Sequence, residues 1–355
     1  MQIRNYLLLL FMFSLLTSCE VDDDNNPVPD NSGAFSEGIL VLNEGLWGQG
    51  NSSVSFIDGA TGEVKQGIYS EVNGSDLGDT ASDIGFYEDL AFIVVNVSNT
   101  IEIVDRRTFE SVATIDSELE NPRKIAFLMG LAYITNWGDA SDPSDDFIAV
   151  FDARTFDFLD KIEVEEGPED ILAIGEKLFV AHQGGWSFND IISVISGDEV
   201  EKTITVGDVP NDLSEDNGFL WVSSAGLPDY AGETAGEISK IDLSTMEVVK
   251  TFSNAAATWH PSNITVENGL VYYTLGTEVY SFGSGEETLP SEPLFNMEEV
   301  SNLYGFRLHE GRIYAASASA DYTGDGKLYI YNTASGNLEN TYDTGINPNG
   351  IFIAE

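Results

Sequence analysis

Five prolines are spaced along the 355-residue chain like marks on a ruler, and each opens the same kind of phrase. The phrases are Asn-Pro-Arg-Lys-Ile at Pro122, Gly-Pro-Glu-Asp-Ile at Pro168, Val-Pro-Asn-Asp-Leu at Pro210, His-Pro-Ser-Asn-Ile at Pro261 and Asn-Pro-Asn-Gly-Ile at Pro348. The steps are 46, 42, 51 and 87 residues, and the last is two steps of about 43. The skipped copy falls near Tyr304, and an earlier copy without proline falls near Asp79. A repeat in the low forties built from short strands is the signature of a β-propeller blade.

Each phrase is followed by the same grammar. A second strand reads Leu90-Ala-Phe-Ile-Val-Val, Leu131-Ala-Tyr-Ile-Thr, Leu178-Phe-Val-Ala-His, Leu220-Trp-Val-Ser, Leu270-Val-Tyr-Tyr and Arg312-Ile-Tyr-Ala. A third strand follows, as in Ile101-Glu-Ile-Val-Asp and Ile148-Ala-Val-Phe-Asp, then a polar turn and a short fourth strand. These runs are rich in β-branched and aromatic residues and are punctuated by Gly, Asn and Asp. No stretch of period 3.6 is long enough to predict a helix in the mature chain.

The first unit lacks its opening phrase. Gly38–Asn43 reads as a second strand and Val54–Asp58 as a third, and the missing strand stands at the far end as Asn347–Ile353. The pattern therefore predicts an all-β, seven-bladed propeller closed by pairing of the C-terminal strand into the N-terminal blade, which removes exposed sheet edges. The sixth unit, around Thr274 to Asn296, is the least regular.

Residues 1–19 read as a signal peptide, with Arg4 as the positive end and Tyr6–Leu16 as an apolar run too short to span a bilayer. The run closes on Leu16-Thr17-Ser18-Cys19, which resembles a bacterial lipobox and marks Cys19, the single cysteine, for lipidation. Residues 20–35 read as an acidic, flexible tether and 36–355 as the propeller. The expected location is the outer membrane, held by lipid alone and exposed at the cell surface. With no other cysteine in the chain, disulfides and thiol nucleophiles are excluded. Sixty acids against 15 bases give a net charge of −45, which excludes nucleic acid as a partner.

In a propeller, the loops between second and third strands share one face with the connectors leading into each inner strand. Trp47, Trp137, Trp186 and Trp259 fall in these segments, and so do Tyr230, Tyr304, Tyr322, His182 and His260. Asn43, Asn96, Asn136, Gln183 and Asn349 add amide groups, and Arg123 adds a cation. Together they predict a shallow cup of aromatic planes and amides suited to a large, flat, partly polar ligand. No nucleophile elbow, zincin motif or phosphate loop is present, and the chain reads as a binding protein rather than an enzyme. The acid runs Asp139–Asp146 and Asp321–Asp325 lack the alternation of a calcium loop.

Several phrases together resemble the YncE-like propeller lipoproteins of Bacteroidota: Val41-Leu-Asn-Glu-Gly45, Gly48-Gln-Gly-Asn-Ser52, Leu77-Gly-Asp79, Ile93-Val-Val-Asn-Val-Ser98 and Gly345-Ile-Asn-Pro-Asn-Gly-Ile351. That resemblance implies a surface lipoprotein that caps a TonB-dependent outer-membrane transporter. It implies capture of cobalamin or of a ferric siderophore, and it assigns no ligand-contacting residue. Anionic ferric siderophores would need several Arg or Lys in the cup, whereas a corrinoid edged by neutral amides suits Trp, Tyr, Asn and Gln. Corrinoid capture is therefore the first expectation, with cobalamin as transported ligand and not as cofactor. Siderophore capture, a protein-interaction propeller without small ligand, and a metal-assisted lactonase or lyase are the alternatives.

Overall fold

The prolines of the ruler mark where each blade begins. In the computed structural model, which describes residues 33–139 and 141–354, the inner strands start at Ala81, Pro122, Pro168, Pro210, Ser262, Leu303 and Pro348. Proline suits this place because its missing N–H would otherwise have to be paired at the strand start. The residue before the strand is left-handed at Thr80, Asn121, Gly167, Val209 and Asn347.

Seven four-stranded antiparallel sheets follow. The third blade is typical, with strands Pro122–Leu128, Leu131–Asn136, Phe147–Asp152 and Phe158–Glu163. The ring closes as the repeat predicts: Pro348–Ala354 pairs antiparallel with Gly38–Asn43, with Val41 opposite Ile351. The sixth blade is irregular because its outer strand is only Phe295–Asn296, reached by a long excursion from Gly283.

Alternation along the second strands builds the core. Leu40 and Leu42 face one neighbouring blade, while Val41 between them faces the other. Successive strand side chains point to opposite faces, so every blade is a two-sided apolar wedge. Seven buried clusters result, each shared by two adjacent blades.

Two details depart from the sequence reading. Phe35, assigned to the tether, is buried with its ring edge-on to Phe56 and Phe109. A six-residue helix, Ile68–Asn73, lies in the connector to the second blade and buries Ile68 and Tyr69. Its length is under two turns, too short to leave a periodic signal. The signal peptide, Cys19 and the tether up to residue 32 lie outside the described residues.

Candidate functional site

A β-bulge recurs at the start of every inner strand and makes the site. Pairing skips from Ala81 to Asp83, Pro122 to Ile125, Pro168 to Ile171, Pro210 to Asp212, Ser262 to Thr265 and Leu303 to Gly305. In the first blade Asn349 is skipped between Pro348 and Gly350. A bulge re-aims side chains and leaves their backbone unpaired. Here it turns Ser82, Arg123, Glu169, Tyr304 and Asn349 to one end of the ring axis, around a mouth of about 240 Å³.

Next along the same strands come Asp83, Lys124, Asp170, Asp212 and Asn263, lining an axial cavity of about 790 Å³. The carboxylates stitch neighbouring blades together. Asp83 accepts the Ile125 amide at 3.0 Å, Asp170 the Leu213 amide at 2.9 Å and Asp212 the Asn263 amide at 2.8 Å. Lys124 Nζ lies 4.0 Å from Asp83 and donates to the Ser82 carbonyl. Burial, with Asp212 nearby, pushes Asp170 up to about 7. Asp83 and Asp212 are raised by burial too. Burial works against the Lys124 charge, but Asp83, Glu169 and Asp170 more than offset it and hold its pKa above the usual value.

At the mouth, Arg123 donates through Nε and Nη2 to Glu169 at 2.8 and 2.9 Å. Its guanidinium lies 4.2 Å from the Trp137 ring centroid. Trp137 is fixed by its indole N–H, which donates to the Pro168 carbonyl at 3.1 Å, and it meets Trp186 edge-on at 6.2 Å. Glycine lets the loop that carries Trp186 close on the connector before Pro168: a Cβ at Gly167 would lie 2.3 Å from the Gly184 amide nitrogen. On the other side Tyr304 donates to Glu44 and packs edge-on against Tyr322 at 5.9 Å. Burial raises the Glu44 pKa, only partly offset by the Tyr304 hydroxyl and Arg123.

Large aromatic rings stand out from the loops of this face. Trp47 is 78% exposed, Trp186 60% and Tyr230 86%, and Tyr304 and Tyr322 are also open. Phe188, which the sequence reading passed over, is exposed and lies 6.2 Å from Tyr230. Its signal was its place two residues from Trp186 in Gly184-Gly185-Trp186-Ser187-Phe188. The Trp47 loop is held by Asp79, which accepts the Gly48 and Gly50 amides at 3.1 Å each.

Five predicted site residues are not on the surface. Asn43, Asn136 and His182 end second strands opposite the opening residue of the inner strand, and all three are fully buried. Asn136 accepts the Glu120 amide and donates to the Ile134 carbonyl, both at 2.9 Å. His182 Nδ1 lies 2.7 Å from the Glu165 carbonyl, and burial pushes its pKa down to about 4. Asn96 donates to the Pro122 carbonyl. Trp259 is 6% exposed and packs edge-on against Tyr273 in the core between the fifth and sixth blades. Asn96, Asn136 and His182 thus tie loops and connectors to strands, a task set by backbone that lacks ladder partners, whereas Asn43 bonds within its own sheet to Ser53 and Ser55. Gln183 and Asn349 are half-buried, and Asn349 donates to the Ala81 carbonyl at 2.8 Å. His260 sits between the Ala225 carbonyl at 2.6 Å and Glu233 at 3.3 Å.

The acid runs fold on themselves. Asp139 and Asp142 accept from Ser141 and Ser144, and Asp321 from the Thr323 amide. Among the described residues, no group of three or more His, Cys, Asp or Glu is arranged to hold a metal ion.

Solved structures share this architecture at low identity. A candidate 6-phosphogluconolactonase of Bacteroides fragilis superposes with a TM-score of 0.63 at 14% identity, over 92% of this chain and 100% of that one. BamB from Moraxella catarrhalis gives 0.54 at 14%, over 90% and 87%. The dihydro-heme d1 dehydrogenase NirN gives 0.56 at 13%, over 90% and 75%. Likeness at this level is likeness of fold. No curated protein sequence matches the chain. Residues 37–346 match the family described as Domain of unknown function (DUF5074), and the chain belongs to that family.

Proposed function

We propose that this protein captures a corrinoid on its aromatic face and, anchored through Cys19 at the outer-membrane surface, presents it to a TonB-dependent transporter. One observation carries the choice of ligand. The face offers exposed Trp47, Trp186, Phe188, Tyr230 and Tyr322, while both cations of the mouth, Arg123 and Lys124, already face carboxylates. Aromatic planes favour a large flat ligand. A strongly anionic ferric siderophore would need free cations, because replacing Glu169 at Arg123 would leave that carboxylate stranded.

The mode of action is capture rather than catalysis. Exposed rings supply stacking area, and half-buried Gln183 supplies an amide beside Trp186. A lipid anchor and a flexible tether would keep the loaded disc at high local concentration near its transporter.

The test is co-migration. The chain from residue 19 onward, with Cys19→Ser, is mixed with cyanocobalamin and passed through a size-exclusion column at neutral pH. Corrin absorbance eluting with the protein, and weakened by Trp186→Ala, is the expected result. Elution of all colour in the small-molecule volume would reject the corrinoid and leave the face to a protein partner.

A further inference from the structure

The loops that build the aromatic face carry one sign of charge. Neither the connectors into the inner strands nor the loops between second and third strands contain a single Lys or Arg. Every described Lys and Arg lies within a strand or, as Arg106, Arg107 and Arg154 do, in turns at the opposite end of the blades. Acids occupy the face loops freely, and Asp76, Asp229 and Glu298 are exposed there. Solubility would be served by acids anywhere and does not require cations to be withheld from one face. Nor does blade packing require it, since the turns at the other end accommodate arginines.

Two properties of this surface act in the same direction. Carboxylates with no Lys or Arg among them in the surrounding loops build a negative potential that can reach several kT. Aromatic rings add the negative face of their quadrupole, which attracts cations. The mouth does not reverse the sign, because Arg123 is joined to Glu169 and Lys124 faces Asp83.

We infer that the face selects its ligand by charge. It takes planar ligands that are cationic or neutral, it rejects planar anions, and of two forms of one ligand it prefers the more positive. This rests on the reading of the aromatic face as the ligand site, and it names the class of ligand admitted there.

Corrinoids provide a matched pair. Replacing the axial cyanide of cyanocobalamin by water leaves the ring unchanged and adds one positive charge. Association of each form is followed by tryptophan fluorescence at slightly acid pH, at low and at high NaCl. A second pair, cationic proflavine and anionic fluorescein, reports charge selection without any corrinoid. The expected result is association of the cationic member faster by about tenfold or more at low salt, converging at high salt as the field is screened. The triple variant Asp76→Lys, Asp229→Lys, Glu298→Lys should narrow the ratio at low salt. The salt series on the unmodified protein decides the matter should that variant fold poorly.

Equal association of both corrinoids at both salts would overturn charge selection and leave corrinoid capture standing. A preference indifferent to salt and to the triple variant would also overturn it, pointing instead to exchange of the labile water at cobalt. Discrimination between the dyes without binding of either corrinoid would uphold charge selection and remove the corrinoid. Indifference to the dyes with no corrinoid binding would remove both.

Discussion

Arg123 and Glu169 meet across the gap between the third and fourth blades in a bidentate ion pair of 2.8 and 2.9 Å. Both side chains come from bulged inner strands, and both are largely shielded, with side-chain exposures of 22% and 12%. The pair locks two blades at the mouth and places a cation under Trp137. Its role is therefore to shape the aromatic face, with its charge already committed.

Arg123→Gln should lower stability by about 1–3 kcal/mol, since it strands a shielded carboxylate. Cyanocobalamin affinity should change less than about threefold, below the tenfold that corresponds to 1.4 kcal/mol. Thermal unfolding and titration of the same preparation check both. A large loss of affinity at unchanged stability would assign Arg123 to the ligand.

The two tryptophans that look alike in sequence should separate cleanly. Trp186→Ala removes an exposed ring and should weaken the ligand by about 1–3 kcal/mol, as loss of an aromatic hot spot does, with little shift in melting temperature. Trp259→Ala opens the core beside Tyr273 and should cost about 3–5 kcal/mol of stability, with ligand affinity kept wherever the protein is folded.

This pair also shows what the sequence could and could not convey. The repeat was legible because Pro122, Pro168, Pro210 and Pro348 begin inner strands, where a residue without N–H fits and where the backbone recurs blade after blade. Closure was legible because Gly38–Asn43 had no partner phrase before it. The site was half legible. Trp47, Trp186, Tyr230, Tyr304 and Tyr322 reach the surface, but Asn43, Asn136 and His182 stand at strand ends whose side chains point inward. The position relative to the proline is the same for all three, yet it fixes register and says nothing of which neighbouring loop folds over them. The axial carboxylates Asp83, Asp170 and Asp212 escaped notice because a bulge, not strand alternation, turns them to the axis.

Stability should fall as pH rises from about 4 to about 7 through Asp170. Its pKa is about 7 in the fold, against the usual 3.8. Between these values the folded chain holds a proton that the unfolded chain releases, so each step up in pH favours unfolding. The full effect is on the order of a few kcal/mol. Asp170→Asn should flatten this limb in a series of melting curves, and an unchanged slope would exclude the residue as its source.

His182 works in the opposite direction. Burial lowers its pKa from 6.5 to about 4, so between these values the unfolded chain takes up a proton that the fold refuses. Stability is complete above about 6.5 and declines as pH falls towards 4. His182→Asn should remove this acid limb without lowering stability at neutral pH by more than about 1 kcal/mol, because Asn43 and Asn136 occupy the matching place in other blades. Acid sensitivity that persists in the variant would contradict the assignment.

The most direct test of corrinoid capture is calorimetric titration of the Cys19→Ser protein with cyanocobalamin at neutral pH. Binding at one ligand per chain with a dissociation constant below about 1 µM, near −8 kcal/mol, and at least tenfold weaker in Trp186→Ala, is the predicted result. Absence of heat at two temperatures, with the protein shown to be folded, would contradict it.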